Sequence, residues 1–472
     1  MSAQRLPKSQ LRHYANSSRV GSCWQYATMR STEAAWRSAL QKIERLNQRN
    51  HHVARRIQGK KTNNHVEVRF MTKLSLKRES LRMVSLCALF FLIGVVTVHA
   101  TTYYVAPTGS DSYTGTAVGT PFRSIQQCVN TVAPGDTCTV ADGTYTDVDG
   151  NGIVVYISPN ARQGTASLPI TIKSTNQYGA HLIIPSSSVP EGLHAGLYIN
   201  QNYYIIDGFD ISGGGSPQLV SNNTGIVLTG GTGTIIRNNK MHDIARTVCS
   251  ESDDGNAGVY MVDTTNVTAD SNLLYTIGRL RNGESGCVTT HYQHDHGFYI
   301  HGTTNTMISH NVIYDTNRGW PIHVFGGTAT NLSIYNNTLA GGSPTSLPVG
   351  QILLAGTINT ANVKNNISYA AITGMVNNYS LSASGIAVTF NLSNTQEKVN
   401  TWAGVTFSNN LQNTSPGFVN AASNNYYLST GSAAINTGTN VGFQGSDGAP
   451  DIGAYELDGS TALTPPQNVR VQ

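Results

Sequence analysis

Gly258-Val-Tyr-Met-Val262 followed by Val267-Thr-Ala-Asp-Ser-Asn-Leu-Leu274 returns later as Gly297-Phe-Tyr-Ile-His301 followed by Met307-Ile-Ser-His-Asn-Val-Ile313. The order is the same each time: a glycine, a short alternating strand, a turn, a second strand, an asparagine turn and an apolar pair. It is present upstream as Gly225-Ile-Val-Leu-Thr229 with Ile235-Ile-Arg-Asn-Asn-Lys-Met241. Downstream it continues as Pro321-Ile-His-Val-Phe325 with Leu332-Ser-Ile-Tyr-Asn-Asn-Thr-Leu339, then Gly350-Gln-Ile-Leu-Leu354 with Val363-Lys-Asn-Asn-Ile367. The marker asparagines Asn239, Asn272, Asn311, Asn337 and Asn366 are 33, 39, 26 and 29 residues apart. A rung of about 20–30 residues, lengthened by loops, is the signature of a solenoid. Period-2 alternation sends one side chain of each pair inward and the next outward. Asparagine suits the turns because it tolerates left-handed backbone, and stacked copies form a ladder along the axis. The expected fold is all-β: a single-stranded right-handed parallel β-helix. An antiparallel sandwich also has many short strands, but its strands need not recur in one order with one marker.

Outward from the repeats, the chain changes character. Residues 1–100 hold 18 of the 30 Lys+Arg and 4 of the 26 Asp+Glu, so residues 101–472 carry 12 basic and 22 acidic groups. An acidic, lysine-poor body has no broad phosphate-binding footprint, and nucleic acid is not an expected partner. The apolar run Val84–Val98 follows Lys73, Lys77, Arg78 and Arg82 and precedes Val98-His99-Ala100. That is the pattern of a cleaved export signal, and the run is short for a membrane span. Residues 71–100 are therefore expected to be a signal peptide, leaving no stable span after cleavage and a secreted protein, extracellular or periplasmic. Residues 1–70 read as an extension from a misassigned start, 101–457 as the β-helix domain, and 458–472 as a linker or truncated tail. A monomer is expected. Cys128 with Cys138 and Cys249 with Cys287 are the favoured local pairs among three possible connectivities.

Tyr103-Tyr-Val-Ala-Pro-Thr-Gly-Ser-Asp111, Pro121-Phe-Arg-Ser-Ile-Gln126, Gly135-Asp-Thr137 and Gly143-Thr-Tyr145 resemble the opening of the pectate-lyase-like right-handed parallel β-helix superfamily. That group includes chondroitinase-B-like and alginate-lyase-like secreted polysaccharide lyases. Ser432-Ala-Ala-Ile-Asn436 and Gly448-Ala-Pro-Asp-Ile-Gly-Ala-Tyr-Glu456 resemble the closing segment of bacterial secreted β-helices. The resemblance spans 101–457 and implies a secreted carbohydrate context. The Lys/Arg pair and acidic calcium ligands of chondroitinase-B-like enzymes have no clear match here. Thr464–Val471 resembles a linker into a fibronectin-type module.

Six of the nine histidines of the body lie between His291 and His323. With Val259, Met261, Phe298, Ile300, Ile322 and Val324 inward, Tyr260, Tyr299 and His323 share one outward column. Val262, His301 and Phe325 form the next. Strands about 4.8 Å apart bring such side chains into contact. A lyase acting on a uronate must hold the carboxylate, take the C5 proton and protonate the leaving oxygen. His323 or His301 is expected as base, Tyr299 as acid, and Arg318 as partner of the carboxylate. Tyr260, His296, Trp320 and Lys240 are expected to bind substrate, an acidic, uronate-containing polysaccharide cleaved by β-elimination. A metal site is a further expectation, from His294, Asp295 and His296 with His301 and His323. Ca²⁺ is the cofactor considered, with Asp147-Val-Asp-Gly-Asn151 resembling part of a calcium loop. Two alternatives stand beside the lyase. A glycoside hydrolase would draw on Asp253, Asp254, Asp295 or Asp315. A non-catalytic adhesin-like protein would use the Tyr-His ladder as a stacking platform.

Overall fold

The computed structural model describes residues 100–186, 192–213, 222–290, 293–341, 350–371, 373–398, 402–443 and 448–457. The expected leader through residue 99, the expected tail from 458, and His291 lie outside the described residues.

The described chain is nearly all β, and its two large sheets are parallel throughout. One sheet has 16 strands and the other 9. Strand Asn256–Thr265 pairs in parallel with Asp295–Ser309, placing Val259 opposite Phe298 and Tyr260 opposite Tyr299. Phe298 then stands opposite Ile322, and Ile322 opposite Ile352. Further along the same rungs, Leu274 meets Ile313 and Ile313 meets Leu339 in the second sheet. Each recurrence of the sequence unit therefore adds a rung to both sheets. This parallel register excludes the antiparallel sandwich. Among the described residues the one antiparallel strand pair is Phe418–Asn420 with Asn425–Leu428.

Inward residues stack into one continuous core. Val259, Met261, Phe298, Ile300, Ile322 and Val324 are all buried, as alternation predicts. Each such side chain contributes about 1.5–3 kcal/mol on leaving water. Gly225, Gly258 and Gly297 share one register position because a Cβ on Gly258 would lie 2.8 Å from the Gly297 carbonyl oxygen. Gly350, expected at the same position, is offset by one. Pro321 continues the column after Gly297, and Gln351 faces Pro321.

The asparagine ladder forms, with a different division of labour from the one expected. Asn239, Asn272, Asn311, Asn337, Asn366, Asn391 and Asn410 bond in sequence, each Oδ1 accepting from the Nδ2 of the preceding member. The left-handed residue is the one before each marker: Asn238, Ser271, His310, Asn336 and Asn365 all have φ between 48° and 57°. The turn thus needs two adjacent special positions, one for backbone and one for the ladder. His310 fills the first, and its Nδ1 is 2.9 Å from Asp270 Oδ1.

Disulfides join Cys128 to Cys138 and Cys249 to Cys287. A short helix, Ile125–Thr131, is capped by Ser124, whose hydroxyl accepts from Gln127 N. Among the described residues no helix is long and apolar enough to cross a membrane.

Candidate active site

The column Tyr260–Tyr299–His323 lies side by side on three successive rungs. It forms one wall of a cavity of about 830 Å³. The Tyr260 and Tyr299 rings are 5.1 Å apart, and the Tyr299 ring meets His323 edge-on at 5.0 Å. His296 joins them although its parity in the strand matches the core residue Phe298. His296 lies against His323, ring centroids 4.0 Å apart. Trp320 closes the side, its indole N–H donating to Asn377 Oδ1 at 3.0 Å. Phe325 and Tyr379, both exposed, form an aromatic rim. The loop carrying Asp253 and Asp254 also lines the cavity, with both carboxylates exposed.

A directed hydrogen-bond chain sets the protonation of the two histidines. The Trp320 backbone N–H donates to His296 Nδ1 at 3.3 Å. A ring nitrogen that accepts is unprotonated, so neutral His296 carries its proton on Nε2. That Nε2 is 2.7 Å from His323 Nδ1 and donates to it. His323 therefore carries its own proton on Nε2, which meets no protein partner among the described residues. Burial, followed by the neighbouring His323 and His294, holds His296 well below the usual histidine range. Burial, with His294 second, takes His323 down to about 3. Both rings are neutral at pH 7. Tyr299 is pushed up to about 12 by burial and then by Tyr260, so it remains a phenol. Burial and then Asp263 raise Tyr260 as well.

Several expected roles are corrected by this geometry. His323 does not present a lone pair at Nε2 and is a donor there, not a base. His301 is absent from the cavity lining; it pairs across from Val262 and its ring packs on the Gly326–Gly327 turn. Arg318 is 1% exposed, gives its Nη1 to the Ser250 carbonyl at 3.0 Å and is not among the residues lining the cavity. Lys240 lies in the second sheet, bound to Asp210 at 2.7 Å, away from the lining. Asp295 is fully buried. Its Oδ1 accepts from Asn256 N and Nδ2, and its Oδ2 from Arg279 N and Nε. That leaves it unable to serve as metal ligand with His294 and His296, or as a hydrolytic carboxylate. Asp315 belongs to the second sheet. Asp147 accepts from the backbone of Asp149, Gly150 and Gly152, organising its own turn.

Arg318, expected at a substrate carboxylate, instead holds the loop together with Arg279. Arg318 bonds Ser250 O, and Arg279 Nη1 bonds Ser252 O at 2.9 Å, directly beneath Asp253 and Asp254. The Cys249–Cys287 disulfide ties the start of that loop. Asn377 and Trp402 were missed because they come from more distant rungs and carry no local motif. Among the described residues, His181, Asp210 and His242 are the one trio whose possible ligand atoms lie within 4.8 Å of one another. Asp210 there is already engaged by His242 and Lys240.

No family model matches the chain, and no curated protein does. Among solved structures it is similar to pectate lyase Pel9A at 17% identity and TM-score 0.39, covering 77% of this chain and 98% of that one. A rhamnogalacturonan lyase matches at 15% identity and TM-score 0.36, with 68% and 91% covered. A GH136 lacto-N-biosidase from Eubacterium ramulus matches at 12% identity and TM-score 0.42, with 74% and 72% covered. Likeness at this level leaves the reading of the site to its own geometry.

Proposed function

We propose that residues 101–457 are a right-handed parallel β-helix that cleaves a polysaccharide by β-elimination in the His296–His323 cavity. One observation carries the reading: a buried, neutral imidazole, His323, holds an unpartnered Nε2–H beside a protonated phenol, Tyr299. A buried unpaired donor costs about 1–3 kcal/mol, which a substrate oxygen would recover. Placed at the acyl oxygen of a uronic unit, that donor stabilises the negative charge formed when the C5 proton leaves. A carboxylate lining the same cavity, Asp253 or Asp254, supplies the base. The C5–H electron pair becomes the C4=C5 double bond, the C4–O bond breaks, and the leaving oxygen takes its proton from Tyr299. Solvent then reprotonates Tyr299 and takes the C5 proton from the aspartic acid. Hydrolysis fits less well, because it needs a carboxylic acid kept protonated. Asp315, a carboxyl that burial does raise, is on the other sheet. The aromatic rim of Phe325 and Tyr379 suits the apolar faces of sugar rings.

The test is the product. Incubation with a panel of polyuronates and their esters is expected to give an ultraviolet-absorbing unsaturated end. Tyr299→Phe is expected to lower kcat by about 10²–10⁴-fold with the fold intact. Release of reducing ends without that absorbance would replace elimination by hydrolysis. Binding without cleavage would leave the adhesin-like reading.

A further inference from the structure

The charges around the cavity bear on which form of a uronic polymer enters it. Residues 101–457 contain eleven Lys and Arg, and none of them lines the cavity. Arg237, Lys240, Arg246, Arg279 and Arg281 are ion-paired to Asp207, Asp210, Glu284, Asp295 and Glu284. Lys398 sits on Glu397 and over the Phe407 ring. Arg318 is sealed under the 250–254 loop. The internal segments outside the described residues contain no Lys or Arg at all. What the cavity does present is two carboxylates, Asp253 and Asp254, a neutral histidine pair and a third histidine, His294.

We infer that the sugar unit this cavity takes carries its acyl group as an uncharged ester, so that the substrate is an esterified polyuronate and not the free acid. The inference rests on the elimination reading above. A free carboxylate entering here would exchange water for fixed negative charge with no Lys or Arg among the lining residues. Proton removal beside it would then build a second negative charge on the same group. An ester removes the first charge and makes C5–H more acidic. Its carbonyl oxygen needs only a neutral donor, which His323 Nε2–H supplies. The same reasoning explains why no Arg or Lys need face the subsite.

The test uses matched polymers: polygalacturonate against its fully methyl-esterified form, and alginate against its ester. Initial rates of the unsaturated product are read at low salt, first with a chelator and then with added Ca²⁺. The ester is expected to be preferred in kcat/KM by about ten-fold or more. Asn378→Lys, an exposed lining position, is expected to narrow that preference by admitting the free acid. Equal or faster cleavage of the free acid, with or without Ca²⁺, overturns the inference while leaving elimination in place. No unsaturated product from any polymer overturns the elimination reading, and the inference with it.

Discussion

Replacing Asn311 by Ala tests whether the buried ladder holds the rungs together. Asn311 is fully buried. Its Oδ1 accepts from Asn272 N and Asn272 Nδ2, both at 3.0 Å. Its Nδ2 donates to Ala269 O at 3.0 Å and to Asn337 Oδ1 at 2.9 Å. Four bonds at about 1 kcal/mol each give a loss of about 4 kcal/mol. Relaxation is limited but real. Asn272 Nδ2 keeps its bond to Ile236 O, and Asn337 Oδ1 keeps the Asn311 N–H, whereas the Asn272 N–H and the Ala269 carbonyl each lose a partner. The expected destabilisation is about 3–5 kcal/mol. Asn311 has no left-handed backbone, so alanine adds no strain there. Asn305 provides the control. It belongs to an exposed ladder, bonded to Asn266 and Asn331, and its φ of 53° calls for glycine as the replacement. Asn305→Gly should change stability by no more than about 1 kcal/mol. Guanidinium titrations followed by circular dichroism and by tryptophan fluorescence measure both. A loss below about 1 kcal/mol for Asn311→Ala, no larger than the control, would refute the ladder as a source of stability.

Three further outcomes follow from the site and its supports. His296→Phe keeps a ring but removes the donor to His323 Nδ1; kcat should fall by about 10²-fold or more with KM little changed, and ¹⁵N resonances of His323 should report mixed tautomers, a single Nε2–H form counting against the chain. The paired change Cys249→Ser with Cys287→Ser opens a closure of 38 residues and should cost about 2–4 kcal/mol. It should also raise KM, because the loop bearing Asp253 and Asp254 loses its tether, and an unchanged KM would detach the disulfide from the site. Burial works to lower His242, but its bonds to Asp210 and Asp243 outweigh that and raise it. A raised histidine stabilises the fold fully below its unfolded value near 6.5, and that contribution is lost as pH rises through the folded value. Thermal melts of wild type and His242→Gln should therefore differ most near pH 5–6 and converge in alkali. A gap that widens with pH would reverse the assignment.

The repeat unit, the inward column and the marker asparagines were legible in sequence because strand alternation and stacking are local rules repeated along the chain. The same rules put Tyr260, Tyr299 and His323 in one column, while short sequence separation favoured the two cysteine pairs. Period-2 alternation tells inside from outside, but not what then folds over the outside. Arg318 and Asp295 read as exposed chemistry until the loop after Cys249 closes over them. Lys240 obeys the alternation on a different sheet. The proton on His323 depends on a backbone N–H of Trp320, 24 residues from the histidine that receives it. Loops between rungs have no period, so their contacts, and with them the burial, tautomers and net charge of the cavity, come only from the assembled tertiary structure.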